Sequence, residues 1–135
     1  MTKAIPQIQK FMSNSPLTIN CDLTLLHAKE FMQKHHIRHL PVLEGGALVG
    51  IISERDIDFL KGFEGVELKN EKISNAMTLE PCIVEASTHL DEVCKIMAQG
   101  KIGSVLVQDN KKLVGIFTWV DALNAMSELL HTRLA

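Results

Sequence analysis

Two short stretches of this chain carry residue types that can grip a polyol and an anion at one place. Gly50-Ile51-Ile52-Ser53-Glu54-Arg55-Asp56 is followed 65 residues later by Gly115-Ile116-Phe117-Thr118-Trp119-Val120-Asp121. Each reads as a glycine, two apolar residues, a hydroxyl residue, two variable residues and an aspartate. Where such a hydroxyl residue stands at a helix start, free N–H groups and the positive end of the helix dipole favour a phosphate. The aspartate falls about one helical turn further on, on the same side, and its two oxygens can accept both hydroxyls of a ribose. The same spacing is also a capping box, in which hydroxyl and acid satisfy each other's backbone N–H groups, the cap contributing about 1 kcal/mol. The two readings are compatible, and both stand open at this level.

The surrounding residues repeat at the same offset. Ile8 falls on Ile73, Met12 on Met77, Pro16 on Pro81, Leu25 on Leu90, Met32 on Met97, Ile37 on Ile102 and Val42 on Val107, without a gap. One offset held so long marks a duplicated unit. Each copy predicts a short extended piece after the proline, Leu17 to Ile19 and Cys82 to Val84. A helix with one apolar stripe follows, through Leu25, Ala28 and Met32 in one copy and Leu90, Val93 and Met97 in the other. Asp22 or Thr24, and Ser87 or Thr88, are the candidate caps.

Two strands come next, residues 37–43 and 48–53, matched by 102–108 and 113–118, with Gly45-Gly46 and Asn110-Lys111 as turns. A second helix opens near Glu54 and near Trp119, where Val120, Leu123 and Leu130 are expected to face inward. The fold class is therefore α+β, two β-α-β-β-α repeats, 1–65 and 66–135, with residues 62–72 as a linker. A three-stranded sheet with helices on one face buries too little apolar area to fold well alone, so the two copies are expected to pack sheet to sheet with pseudo-twofold symmetry.

Composition narrows the function classes. The 135 residues are 46% hydrophobic and 22% charged, with a formal net charge of −2. Lys and Arg are scattered, which argues against nucleic acid as a partner. Three cysteines without a C-x-x-C pair argue against a disulfide framework or thiolate zinc site, and point to reduced thiols in a cytoplasmic protein. No apolar run matches a membrane span, and the opening Met1-Thr2-Lys3-Ala4-Ile5-Pro6 lacks the apolar stretch of a secretion signal.

At this point the chain resembles the cystathionine-beta-synthase (CBS) domain pair, or Bateman module. The likeness rests on Pro16-Leu17-Thr18-Ile19, on Ala28 with Met32, on Ile37-Arg38-His39-Leu40-Pro41-Val42 and on Leu48 to Asp56. The second copy matches more loosely through Met77-Thr78, Pro81 to Val84, Val105-Leu106-Val107 and Leu113 to Asp121. The resemblance implies a regulatory sensor, not an enzyme, that binds AMP, ADP or ATP, or alternatively S-adenosylmethionine, in clefts between the repeats. It also implies a homodimer and an unidentified regulated partner protein. A ligand-free dimerisation or scaffold module is the rival reading.

Carried over residue by residue, the first site would use Asp56 for ribose, with Ser53, Arg55, Arg38 and His39 near phosphate, and Ile51, Pro81, Cys82 and Ile102 around the base. The second would use Asp121 and Thr118, with Ile116, Pro16, Leu17 and Ile37 around the base. Arg38-His39 is replaced by Gly103-Ser104 and Arg55 by Val120, so the second copy departs from the first in its cations. His35, His36 and His39 are not expected to bind metal, because adjacent helical side chains diverge and no carboxylate or cysteine completes a set. Met12, Met32, Met77 and Met97 read as core filling, and Trp119 as either a cleft edge or a dimer contact. No catalytic residue and no catalytic cofactor is expected: Ser53 lacks the surroundings of a nucleophile elbow.

Overall fold

Thr24 caps α1 (Leu25–His35) by a reciprocal box: the His27 N–H donates to its Oγ1 at 3.3 Å, and its own N–H donates to His27 Nδ1 at 3.3 Å. Leu25, Ala28 and Met32 fall on one face at helical spacing and are buried. His36 ends the helix in the left-handed conformation with φ 54°. In the second copy α3 (Leu90–Gly100) buries Leu90, Val93 and Met97 in the same way. Neither Ser87 nor Thr88 caps it, however; the N-cap is His89, without a side-chain bond. The Leu90 N–H instead donates to the Pro6 carbonyl at 2.8 Å, as the Leu25 N–H donates to that of Glu71 at 2.8 Å. Backbone from the lead-in to each repeat thus satisfies a helix start.

The computed structural model describes residues 4–134. Its strands are β1 (Ser13–Asn14), β2 (Ile19–Asn20), β3 (His39–Glu44), β4 (Ala47–Ser53), β5 (Thr78–Leu79), β6 (Ile83–Glu85), β7 (Ser104–Asp109) and β8 (Lys112–Thr118). The remaining helices are α2 (Glu54–Lys61) and α4 (Trp119–Leu134), and single 3-10 turns sit at Ile8–Lys10 and Ile73–Asn75. The fold class is α+β. Both hairpins turn through paired left-handed residues, Gly45 and Gly46 at φ 57° and 83°, Asn110 and Lys111 at φ 51° and 63°. Two such residues make the tight turn whose twist matches the strands.

Each sheet has four strands where the repeat predicts three. One runs β2-β3-β4-β5 and the other β1-β8-β7-β6, with β2–β3 and β6–β7 parallel and the other pairs antiparallel. The added strand is the lead-in of the other copy: β5 covers the edge of β4, and β1 covers the edge of β8. An otherwise open sheet edge is closed in both cases. The compact units consequently do not follow the repeat halves 1–65 and 66–135. One is Leu17–Pro81, and the other joins the residues up to Pro16 to those from Cys82 onward.

Each unit has its own core. In the first, Leu25, Met32, Leu40, Ile52, Ile57 and Ile73 are buried together; in the second, Ile8, Val93, Val105, Val107 and Phe117. The segment expected as a linker partly docks on its own unit, where the Leu68 carbonyl accepts from the Leu26 N–H at 3.1 Å. The expectation for α4 requires correction. Val120, Leu123 and Leu130 do not face the core; Leu123 is 56% and Leu130 52% exposed. Ala125 is buried instead, with Ala122 and Leu129 packed beside it. Small residues let the helix approach the sheet closely, which leaves the larger apolar residues outward.

The exchanged strands explain the glycine that opens each motif. A Cβ on Gly50 would lie 2.7 Å from the Thr78 carbonyl oxygen and 2.9 Å from Met77 Sδ; one on Gly115 would meet the Met12 side chain, with its Cγ 2.9 Å away. Gly50→Ala is expected to cost about 1–3 kcal/mol, because a backbone carbonyl cannot swing aside. Gly115→Ala, which meets a flexible methionine, is expected to cost less. Urea unfolding of the two variants measures the difference.

Candidate functional site

β4 ends at Ser53 because Ser53 is also the N-cap of α2. Its Oγ accepts from the Asp56 N–H at 3.1 Å, and the Asp56 carboxylate accepts the Ser53 N–H through Oδ2 at 2.9 Å. In the other unit Asp121 Oδ2 accepts the Thr118 N–H at 2.9 Å and the Thr118 hydroxyl at 3.3 Å, while the Asp121 N–H reaches Thr118 Oγ1 at 3.5 Å. The capping reading is therefore correct for both turns. It does not exhaust the carboxylates: Oδ1 of Asp56 and of Asp121 accepts no hydrogen bond among the described residues.

The strand before each motif is tied to the same turn. The Glu54 N–H donates to the Arg38 carbonyl at 2.9 Å, and the Trp119 N–H to the Gly103 carbonyl at 3.0 Å. His39 lies directly opposite Ser53 in the β3–β4 ladder, and Ser104 opposite Thr118 in the β7–β8 ladder. With the Glu54 and Asp56 N–H groups occupied, the Arg55 N–H has no partner among the described residues in the first turn of α2, nor has the Val120 N–H in α4. Each turn thus has, among the described residues, one carboxylate oxygen without a hydrogen-bond partner and one unoccupied backbone donor within a few residues. That pairing can accept from a diol and donate to an anion.

In the unit Leu17–Pro81 the structure gathers Arg38, His39, Ser53, Arg55 and Asp56 about this turn. Arg38 and Arg55 are exposed, whereas His39, Ser53 and Asp56 are half-buried. Ile51 is half-buried on β4 between Pro41 of β3 and Thr78 of β5. Pro81 closes the same unit; Leu17 is exposed at its start, and Ile37 packs against its core. In the other unit Thr118 and Asp121 share the turn, Ile116 is buried on β8, and Pro16 is half-buried after β1. Cys82 and Ile102 belong to this second unit and pack against its core, and burial pushes the Cys82 thiol up. Cys82 is therefore a neutral thiol packed against its own core.

Strand exchange adds two residues that motif spacing alone does not single out. Thr78 of β5 is the register partner of Ile51, and Ser13 of β1 that of Ile116. The signal was present in the offset, since residue 13 falls on residue 78 and both are hydroxyl residues. Their pairing across copies is non-local and leaves no local pattern.

Comparison with known proteins accords with this architecture. The CBS domain family model matches residues 8–59 and 73–128, and the chain belongs to that family. It is 30% identical over 134 residues to an inosine-5'-monophosphate dehydrogenase of Korarchaeum cryptofilum, a match that takes in 98% of this chain but spans only 27% of that enzyme. Among solved structures, the CBS domain pair of protein MJ0100 in complex with 5'-methylthioadenosine and S-adenosyl-L-methionine superposes with a TM-score of 0.82 at 28% identity, covering 93% of this chain and 98% of that one. CBSX2 in complex with AMP superposes with a TM-score of 0.75 at 24% identity, covering 91% and 97%, a likeness of fold. No helix among the described residues is long and apolar enough to cross a membrane.

His39 gives the site a pH signature. Burial lowers its pKa from the ordinary 6.5, against the Asp56 carboxylate, which raises it, and with Arg38, which lowers it further. The unfolded chain then binds the proton more readily than the folded one, so this contribution to stability is complete above the unfolded value and is lost as pH falls through the folded one. Between pH 7.5 and 5.5, His39→Gln is expected to lose less stability than the wild type, as read from urea midpoints across that range.

Proposed function

We propose that this chain is a regulatory module that takes adenosyl ligands at its two hydroxyl-x-x-Asp turns and passes their occupancy to a protein it controls in the cytoplasm. Asp56 and Asp121 would hold the ribose hydroxyls, and the Arg55 and Val120 N–H groups would donate to an adjoining anion or water. One observation carries the reading: each aspartate spends one carboxylate oxygen on its own helix cap, and its other oxygen has no hydrogen-bond partner among the described residues. A cap alone needs only the first. Membership of the CBS family, and the adenosyl ligands that the MJ0100 domain pair holds, support the ligand class.

The ligand regulates only if it binds two states of the module unequally. Thermal shift against AMP, ADP, ATP, 5'-methylthioadenosine and S-adenosylmethionine tests the first requirement. A ligand present at about 100 times its Kd stabilises the folded chain by roughly 2.7 kcal/mol. At least one of the five is expected to raise the Tm, and the rise to shrink in Asp56→Asn or Asp121→Asn, whose amide oxygen can still cap. An unchanged Tm with all five overturns the reading.

A second feature bears on assembly. Trp119, Leu123, Met126 and Leu130 are exposed along α4 at intervals of four, three and four residues. That spacing is the seam of a coiled coil, a self-complementary surface, and its proposed occupant is α4 of a second copy. Leu123→Lys with Leu130→Lys is expected to shift a dimer to monomer in sedimentation equilibrium while far-UV circular dichroism stays unchanged; a wild type that sediments as a monomer removes the pairing. Dimerisation without any ligand response would leave the scaffold reading in place of the sensor.

A further inference from the structure

The two turns match in backbone but not in charge, and the mismatch lies at equivalent places. His39 and Ser104 stand opposite the hydroxyl residues Ser53 and Thr118, in identical ladder positions. Arg38 and Gly103 each lend a carbonyl to the first helical N–H. Arg55 and Val120 each follow that residue. One unit therefore carries two arginines and a histidine at the backbone positions beside its turn, the other a glycine, a serine and a valine. The arginines are uncommitted: both are exposed, and among the described residues the single ion pair joins Lys69 to Glu67. In the second unit Lys101 caps α3 in the left-handed conformation at the place of His36 in the other unit. It stands at the preceding helix end, before the strand that leads to the turn.

We infer that the two turns differ in ligand class: the Asp56 turn takes a phosphorylated adenosyl ligand, and the Asp121 turn an adenosyl ligand without phosphate. The inference rests on the adenosyl reading above and sharpens it. A phosphate at the Asp56 turn gains charge-assisted hydrogen bonds from planar donors that suit it in pairs. At the Asp121 turn the same phosphate would meet only neutral donors and would lose water for little return. A nucleoside or its thioether carries no such cost, and Asp121 still meets its ribose.

Calorimetric titration of the full chain with AMP and with 5'-methylthioadenosine separates the possibilities. Arg38→Gln with Arg55→Gln, both exposed positions that leave the caps intact, is expected to weaken AMP by about tenfold or more. The thioether, having no anion for them to meet, is expected to lose much less. Asp56→Asn is expected to cut AMP affinity more than Asp121→Asn does, and the order to reverse for the thioether. Raising the salt concentration is expected to weaken AMP and to spare the thioether. Equal losses for AMP in the two aspartate variants, or no loss in the arginine variant, would overturn the division while leaving an adenosyl module. Binding of neither ligand would remove the division, and the reading beneath it falls as well if ADP, ATP and S-adenosylmethionine also leave the Tm unchanged.

Discussion

A strand borrowed from the other copy lies directly on a glycine of each motif, and the rest of the site depends on that contact. Gly50 and Gly115 carry no side chain where Thr78 and the methionines Met77 and Met12 press in. The close approach lets β5 bond to β4 and β1 to β8, which closes the edge of each hairpin. Three residues beyond the glycine comes the hydroxyl residue, last of its strand and cap of the next helix. Holding the strand edge thus also sets where the helix begins, and so where its carboxylate stands.

Capping and ligand binding are not alternatives for this carboxylate. Oδ2 satisfies the N–H of the cap residue, as any capping box would, and this fixes the side chain's direction without a ligand. An acid already oriented by its own backbone loses little freedom when it then accepts from a diol. Capping here is the means by which the second carboxylate oxygen is held in place in advance of any ligand. His39 shows the cost of the arrangement: placed opposite Ser53 and half-buried, it loses hydration that the nearby Asp56 only partly offsets.

What was readable from the residues divides along the range of the interactions. Helix stripes such as Leu25, Ala28 and Met32, and the left-handed pairs at Gly45-Gly46 and Asn110-Lys111, are local and leave local patterns. The hydroxyl-x-x-Asp turns were equally plain, since a capping box spans four residues. Exchange of β1 and β5 was hidden, because pairing between residues 13 and 116 is chosen by an open edge a hundred residues away. The facing of α4 failed for another reason. Both sides of that helix are apolar, Ala122, Ala125 and Leu129 on one, Leu123, Met126 and Leu130 on the other. Periodicity finds two stripes and cannot rank them; side-chain volume can, since the small residues permit the closer approach to the sheet.

Duplication explains why the two turns differ as they do. Positions that hold the fold are the same in kind in both copies: a glycine under the exchanged strand, a hydroxyl cap and an aspartate. Substitution falls on Arg38, His39 and Arg55 against Gly103, Ser104 and Val120, and two of the three pairs involve exposed arginines that no ion pair among the described residues engages. Exposed cations that stabilise little are cheap for a fold to lose. Their presence on one turn is therefore not explained by folding, whereas an anion bound there would explain it.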